Sequence, residues 1–577
     1  MLNLNARVEA TIVKTMRLLI LFLTYLFCTS VAWAQQDQKA PELLTYDEIV
    51  QLYQQDVPSA ALRDKLQQLL TTPFVSNRAF RSGVRPLKPA SPQIGKFLRV
   101  AEWNIERGLE FDAVKLAFTN PQQFAELMDQ NKSNAGPEER SRILEQVKLL
   151  READLIVFNE VDWGINRTLF RNVAAELAAA LRMNYAYGVE FVEVDPITMG
   201  IDQQVVVREV KETYGEPAQN KTEMLEHVKQ VMTPEPGSYR GLHGTAILSR
   251  YALENVRVVP FKFQGHDWYA DEKIKGSPLT KVEGKLSADV FKEQLVRQVR
   301  RGGRMMLIGD IVDDELPSGR ITIVATHLED MTTSANRKKQ LIELLDEIKT
   351  INHPVILAGD MNTSTHDAAP VSVTRALKER FGSGKWWAEE GVSEVVRQAT
   401  PFGWAYDVSR GLIGFARNMD DPTVRSIPLV GKNPEASFFA TLENFRFADG
   451  SAFDFRGTRA RSSNGRAGNL ADSNERGEKG FVPTSELGRT YGPIGKYKLD
   501  WIFVRAGSLS DPHDAKQPYR FAPHFGRTLK ELNQSIPDRI SDHSPITVDL
   551  PLGEPPILQD GEPLDLTAAK FRKLRQL

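Results

Sequence analysis

Short apolar runs alternate with stretches of helical periodicity along most of this chain. Pro41 to Leu70 reads as helical, with Ile49, Leu52 and Tyr53 and then Leu62, Leu66, Leu69 and Leu70 at helix-like spacings. A Pro- and Gly-containing stretch from Ser82 to Gly95 reads as a linker, and the regular pattern begins at Phe97-Leu98-Arg99-Val100. The run Leu155-Ile156-Val157-Phe158 follows a helix around Arg140 to Glu152, and Val173 to Leu181 is an Ala- and Leu-rich amphipathic helix. Met305 to Val312 and Ile321 to Thr326, joined through Pro317-Ser318-Gly319, predict a hairpin. Arg337 to Ile348 predicts a helix, and Val355 to Ala358, Leu499 to Val504 and Ile546 to Leu550 predict strands. Hairpins beside crossovers imply a layered α/β fold with mixed sheets.

Three regions fit this scheme poorly. Residues 191–240 and 262–300 read as insertions, and Arg456 to Lys479, rich in Gly, Ser, Asn and Arg, reads as a loop. The tail over 553–577 is Pro-rich and ends in the basic run Lys570 to Arg575, which reads as a solvated helix end.

At the N-terminus, Arg7, Lys14 and Arg17 precede the apolar run Leu18 to Phe27, and Ala32-Trp33-Ala34 has the spacing a signal peptidase reads. Residues 1–34 are therefore expected to be a secretory signal, 35–96 an N-terminal helical segment and linker, and 97–552 the catalytic domain. The apolar run is shorter than the ~20 residues of a spanning helix, so no stable membrane span is expected after cleavage. The only cysteine of the 577 residues, Cys28, falls inside that signal. A mature chain without disulfides suits a bacterial periplasm or exterior and relies on a large core. Formal charge is −2, and removing a signal with Arg7, Lys14, Arg17 and Glu9 leaves about −4. That balance argues mildly against a tight binder of long nucleic acid.

The candidate chemistry lies at strand ends. Gly359-Asp360-Met361-Asn362 closes the run Val355 to Ala358, and Ser541-Asp542-His543-Ser544-Pro545 precedes Ile546-Thr547-Val548. Residues two apart on a strand point the same way, so Asp360 and Asn362 can address one atom, although an Asx-turn ending the strand explains the pair as well. Glu160 ends an apolar strand, where a charge is costly unless used or solvated, and Glu106 in Trp103-Asn104-Ile105-Glu106 is a second carboxylate candidate. A phosphate ester repels its nucleophile and has a poor leaving group. A divalent cation held by protein oxygens relieves both problems, and Mg2+ needs only one or two carboxylates. His327, after Ile321 to Ala325, is a candidate donor to a phosphate or leaving oxygen, and a hydrogen-bonded structural histidine is the plainer reading of it and of His543 taken alone. Asp500, in Lys498-Leu499-Asp500-Trp501, offers a carboxylate to orient His543.

In this order the motifs resemble the endonuclease/exonuclease/phosphatase superfamily. The matching stations are Trp103 to Glu106, Asn159 to Asp162, Gly244 to Arg250, Thr326 to Glu329, Gly359 to Asn362, Leu499 to Ile502 and Ser541 to Pro545. The resemblance implies a four-layered α/β sandwich with two central mixed β-sheets, here with large insertions. It implies that Asn104, Glu106 and Glu160 surround Mg2+ or Mn2+, with Glu160 the principal ligand. By the same likeness Asp360 aligns or activates water, Asn362 and His327 contact the phosphate, Asp500 orients His543, and Asp542 helps the metal or His543.

Two features lie outside that pattern. His243 precedes the Gly244 station and is a candidate substrate contact or a loop histidine. Arg297, Arg300, Arg301 and Arg304 form a dense basic run, in which Arg301 and Arg304 are candidate substrate contacts and a solvated helix end before the hairpin explains the run equally well. The expected activity is a secreted, metal-dependent phosphoester hydrolase, foremost a phosphodiesterase acting on nucleic acid. The alternative is a phospholipid (sphingomyelinase-like) or small-molecule phosphatase, with Trp268, Tyr269, Trp386 and Trp387 as a possible apolar rim against the plainer reading of core packing. A catalytically silent binding protein is the third. No partner protein is evident.

Overall fold

The computed structural model describes residues 39–131, 136–194, 196, 199, 201, 235–274, 299–363, 436–456, 484–486 and 496–555, apart from 508, 515, 537 and 538. The expected signal with Cys28, the middles of both insertions, Arg297, Trp386, Trp387, nearly all of the Arg456 to Lys479 loop and the tail beyond 555 lie outside them.

The strands run in chain order β1 (Phe74–Ser76), β2 (Ala90–Ser91), β3 (Gly95–Arg107), β4 (Leu155–Trp163), β5 (Asn184–Val194), β6 (Leu242–Ser249), β7 (Leu253–Pro260), β8 (Val299–Gly302), β9 (Met305–Val312), β10 (Arg320–Thr326), β11 (Val355–Asp360), β12 (Ser485–Glu486), β13 (Lys496–Tyr497), β14 (Asp500–Arg505), β15 (His524–Thr528) and β16 (Ile546–Pro551). Nine form one sheet in the order β1-β5-β6-β4-β3-β16-β15, with β2 on β3 and β8 on β5. Five form a second in the order β14-β11-β10-β9-β7. Both are mixed: β3 runs parallel to β4 and β10 parallel to β11, while their other neighbours are antiparallel.

Strand alternation decides how the layers stack. On β3, Leu98 and Val100 face the second sheet, while Ala101, Trp103 and Ile105 face helices outside. The inner faces meet in a core that includes Val157, Ile247, Leu307, Ile323, Ile356, Ile502 and Val548. The outer face of the second sheet, with Ile308, Val324, Leu357 and Phe503, packs on helices Ser334–Ile348 and Ala436–Asn444. Helices thus cover both stacked sheets, giving the expected four layers. Each fully buried Leu, Ile or Val contributes roughly 1.5–3 kcal/mol.

The N-terminal segment is more integrated than the pattern suggests. The helical stretch splits at Asp56-Val57-Pro58 into Tyr46–Gln54, closed by a Thr45/Glu48 capping box, and Ala60–Thr71, capped by Ser59. Phe74–Ser76 then pairs with Ala186 and its neighbours as an edge strand, and the Phe74 ring stands edge-on to Trp163 at 4.8 Å. The expected linker is tied down too, because the Leu87 and Lys88 N–H groups donate to the Asp154 carboxylate. The basic run is not a helix end: Arg300 and Arg301 lie on β8, paired with Glu193 and Val192. Among the described residues no helix is long and apolar enough to cross a membrane.

Candidate active site

The apolar inner face of each central strand gives way to polar residues at one end of the sandwich. On β3 the face reads Leu98, Val100, Glu102, Asn104; on β11 it reads Ile356, Ala358, Asp360. On β10 the same parity leads from Ile323 and Ala325 to His327, on β4 from Val157 to Asn159, and on β14 back from Val504 and Ile502 to Asp500. All these polar side chains are buried. The register sets Asn104 beside Asn159 and Asp360 opposite Asp500.

Glu160 has the wrong parity for this face, and a bulge corrects it. Pairing shifts between Phe158 and Val161 on β4 and between Asn104 and Arg107 on β3. Glu106, Arg107 and Glu160 have φ of 47°, 68° and 51°. A left-handed non-glycine residue costs about 1–2 kcal/mol, and such bulges re-aim side chains next to active sites. Glycine is required at 359, where φ is 144° and a Cβ would stand 1.8 Å from the Thr326 carbonyl oxygen. That close approach seats Asp360 against the end of β10.

Asp360 sits at the centre of the cluster. Asn159 Oδ1 accepts its N–H at 2.7 Å, and Asn104 Nδ2 donates to its Oδ2 at 3.1 Å and to Glu160 Oε1 at 3.3 Å. The Asn362 N–H donates to Asp360 Oδ1 at 2.8 Å, so the Asx-turn also forms, with Asn362 at φ 46°. His543 Nδ1 lies 2.8 Å from Asp500 Oδ2, and its Nε2 lies 3.7 Å from Asp360 Oδ2. The His543 turn is fixed to β3 by Trp103 Nε1, which donates to the His543 carbonyl at 2.8 Å, and by Ser541 Oγ, which donates to the Asn104 carbonyl at 2.7 Å. The Asp542 N–H donates to Glu106 Oε2 at 2.9 Å.

On the opposite side, His327 Nε2 lies 3.1 Å from Asn362 Nδ2 and 3.6 Å from Asp360 Oδ2. His243 is buried with Nδ1 2.8 Å from Asp162 Oδ1. The two arginine candidates part company. Arg301 donates to the carbonyls of Leu52, Gln55 and Asp56 at the end of helix Tyr46–Gln54 and stacks 3.1 Å over Tyr269, so its guanidinium is engaged by the helix end. Arg304 is enclosed and its Nη1 donates to Glu190 and toward His327 Nδ1, both at 2.8 Å, so it faces protein groups instead of solvent. Nor do Trp268 and Tyr269 form an apolar rim: Trp268 Nε1 donates to Glu329 and the Tyr269 hydroxyl to Tyr53 and Asp56.

Electrostatics separate the groups by role. Burial lifts the Asp360 carboxyl to about 7, with His543 pulling down and Asp500 pushing up. Burial also lifts Glu106 to about 8, helped by the Asp542 carboxylate. Burial acts the same way on Glu160, but the Arg107 guanidinium, joined by His543, outweighs it and holds the carboxyl well below its ordinary range. His543 is depressed by burial, yet Asp500, Asp360 and Asp542 carry it well above the usual imidazole value. For His327, burial and the Arg304 charge both act downward.

Four further groups belong to the site. Asn159 joins the sheets, since Nδ2 donates to Thr245 Oγ1 and the Thr326 carbonyl while Oδ1 holds Asp360. Arg107 Nε stands 3.8 Å from Glu160 Oε2. Glu102 is fully buried without a hydrogen-bond partner for either carboxylate oxygen among the described residues, and burial, then Asp500 and Asp360, raise it well above the ordinary range. Glu190 receives both Arg304 and the Thr245 hydroxyl. Asn159 and Glu102 were detectable from period two, as same-face neighbours of Val157 and Asn104.

The donor set fits a hard divalent cation. Glu106 feels the charges of both Asp542 and Glu160, which a bound cation would offset. Asn104 Oδ1 accepts the Glu106 N–H at 3.1 Å, and its amide NH2 faces Glu160 and Asp360. Asp360, Asp500 and His543 also bring ligand atoms within 4.8 Å of one another. There, however, Asp500 holds His543 Nδ1, the arrangement of an oriented acid–base group.

The endonuclease/exonuclease/phosphatase family model matches residues 101–543. A structure of that family from Beutenbergia cavernae DSM 12333 is 17% identical, with 80% of this chain and 73% of that one covered at a TM-score of 0.33. An AP endonuclease from Archaeoglobus fulgidus is 11% identical, covering 78% and 99% at 0.30, and the human Nocturnin catalytic domain with bound sulfate is 10% identical, covering 78% and 93% at 0.29. No curated protein matches the chain.

Proposed function

The chain belongs to the endonuclease/exonuclease/phosphatase family of phosphoester hydrolases, and we propose that it is an exported, Mg2+-dependent phosphodiesterase whose first substrate class is nucleic acid. The observation that carries this reading is the convergence of Asp360, Asn362, His327 and Asp500-bound His543 beside Glu160 at the polar end of the inter-sheet core. The apolar run and small-residue spacing over residues 1–34 support export to the periplasm or exterior.

In this reading Glu160, Glu106 and Asp542 would hold the cation, with Mn2+ able to replace Mg2+. When bound it would neutralise phosphate charge and stabilise the leaving oxygen. Asp360 orients the attacking water and accepts its proton as the new P–O bond forms. The His327 and Asn362 side chains hold a non-bridging phosphoryl oxygen. His543, oriented by Asp500, gives a proton to the leaving oxygen as the old P–O bond breaks.

One observation favours a second substrate class. Arg300, Arg301 and Arg304 engage Glu193, the Leu52-Gln55-Asp56 carbonyls and Glu190, so this run adds no basic surface for a polynucleotide. A phospholipid or small-molecule phosphoester is the alternative. Purified protein should cleave single- or double-stranded DNA or RNA with Mg2+ or Mn2+ and lose the activity with chelator. Phosphocholine or phosphate release from phospholipids or sugar phosphates, with nucleic acid untouched, would move the assignment to the second class.

A further inference from the structure

His327 stands between two hydrogen-bond donors. Arg304 Nη1 lies 2.8 Å from its Nδ1, and Asn362 Nδ2 lies 3.1 Å from its Nε2. A guanidinium has five N–H groups and no acceptor, so its contact with Nδ1 requires a lone pair there. In a neutral imidazole the single proton is then on Nε2. Asn362 Nδ2 already gives one hydrogen to the Leu328 carbonyl at 2.9 Å, which leaves its second N–H beside the His327 Nε2–H. The Asp360 carboxylate oxygen, 3.6 Å from Nε2, is beyond ordinary hydrogen-bond reach. Two donors therefore stand side by side, in the arrangement one anionic oxygen would satisfy.

Arg304 is held so that it cannot turn away. It is 3% exposed. The second Nη1 hydrogen goes to Glu190 Oε2 at 2.8 Å, Nη2 donates to Asp330 Oδ1 at 3.3 Å, and Nε faces Glu329 Oε2 at 3.6 Å. Glu190 is fixed in turn by the Thr245 hydroxyl at 2.6 Å, and the Arg304 N–H donates to Gln264 Oε1 at 2.6 Å. His543 has the opposite arrangement, because its Nδ1 meets the acceptor-only Asp500 carboxylate. One histidine is thus held by a donor and the other by an acceptor.

We infer that Arg304 is a positioning residue that locks His327 as the neutral Nε2–H tautomer, so that His327 and Asn362 present two adjacent N–H groups to one phosphoryl oxygen and His327 transfers no proton during turnover. The phosphoryl half rests on the function proposed above; the tautomer does not. Burial and the Arg304 charge both disfavour the protonated ring, in keeping with this geometry.

The test is 15N NMR of the full chain labelled at histidine nitrogens, without substrate at neutral pH, with His327 assigned by its loss in His327→Gln. The expected spectrum shows an unprotonated Nδ1 and a protonated Nε2. Arg304→Gln should yield a mixture of tautomers and lower kcat by about 10- to 100-fold, as for a weakened oxyanion donor, with a smaller change in KM. Arg304→Lys, which keeps a charged donor, should restore the Nε2–H form. An Nδ1–H or doubly protonated His327 in the unsubstituted protein, or a tautomer unchanged in Arg304→Gln, would overturn the inference. Should Arg304→Gln not fold, the unsubstituted protein alone decides. A chain that shows the Nε2–H form but hydrolyses no phosphoester would contradict the proposed function and leave the lock supported.

Discussion

Asp360 and Asp500 stand opposite each other in the β11–β14 register, and one imidazole lies between their carboxylates, with His543 Nδ1 2.8 Å from Asp500 and Nε2 3.7 Å from Asp360. Asp500 sees the ring nitrogen that cannot face substrate, and Asp360 sees the one that can. Replacing Asp500 by Asn keeps the shape but removes the charge that orients and charges the ring. Asp500→Asn is expected to lower kcat by about 100-fold, the usual worth of a general acid–base group, with circular dichroism and melting unchanged to within a few degrees. Retained activity would mean that the pair is structural.

Cation binding should appear as stability. The Asp542 and Glu160 charges raise the Glu106 carboxyl, a repulsion that a bound cation would relieve. Mg2+ at a hundredfold excess over its dissociation constant should add about 2.7 kcal/mol to unfolding free energy, and a chelator should remove it. Glu160→Gln should abolish most of that gain. An equal Mg2+ response in both proteins, read by thermal melts, would place the cation elsewhere.

Arg301 and Arg304, three residues apart, should fail differently when replaced. Arg301 closes a helix end and stacks on Tyr269. Arg301→Ala is expected to lower stability by about 1–2 kcal/mol in denaturant titration while kcat/KM stays within about twofold. A large kinetic loss without a stability change would return Arg301 to the list of substrate contacts.

A pH response of stability should come from His524, well away from the cleft. It is 2% exposed, and burial lowers its pKa despite the hydrogen bond between Nδ1 and the Ala522 carbonyl. The folded chain therefore binds this proton less readily than the unfolded one. Its stabilising effect is complete above the ordinary histidine pKa of about 6.5 and declines as pH falls below it, by at most about 1.4 kcal/mol per pH unit. His524→Gln should flatten the stability difference between pH 7 and pH 5, and an unchanged slope would rule His524 out.

Much of this molecule was legible because periodicity and position carry physical meaning. Val173–Leu181 and the β9–β10 hairpin follow directly from apolar spacing. Asp360, His327 and Asp500 follow because a polar residue continuing the inward parity of a buried strand must be solvated or partnered. Glu160 and Glu106 were legible as charges at strand ends and, through the family resemblance, as metal candidates, but alternation alone could not turn them toward the cleft, because bulges do that. Phe74–Ser76 was hidden because three residues are too few to show a period, and its partner Ala186 lies over a hundred residues away. The basic run stayed ambiguous because arginine pattern alone does not reveal internal acceptors such as Glu190, Glu193 and the Leu52 carbonyl.

The most direct test of the central claim is hydrolysis of a generic diester, bis(p-nitrophenyl) phosphate, by the purified protein with Mg2+, with chelator, and with Mg2+ restored. The account predicts activity that chelation removes and Mg2+ recovers, and that falls by more than about 100-fold in folded Asp360→Ala and His543→Ala proteins. Hydrolysis indifferent to chelator, or undiminished in both variants, would contradict it.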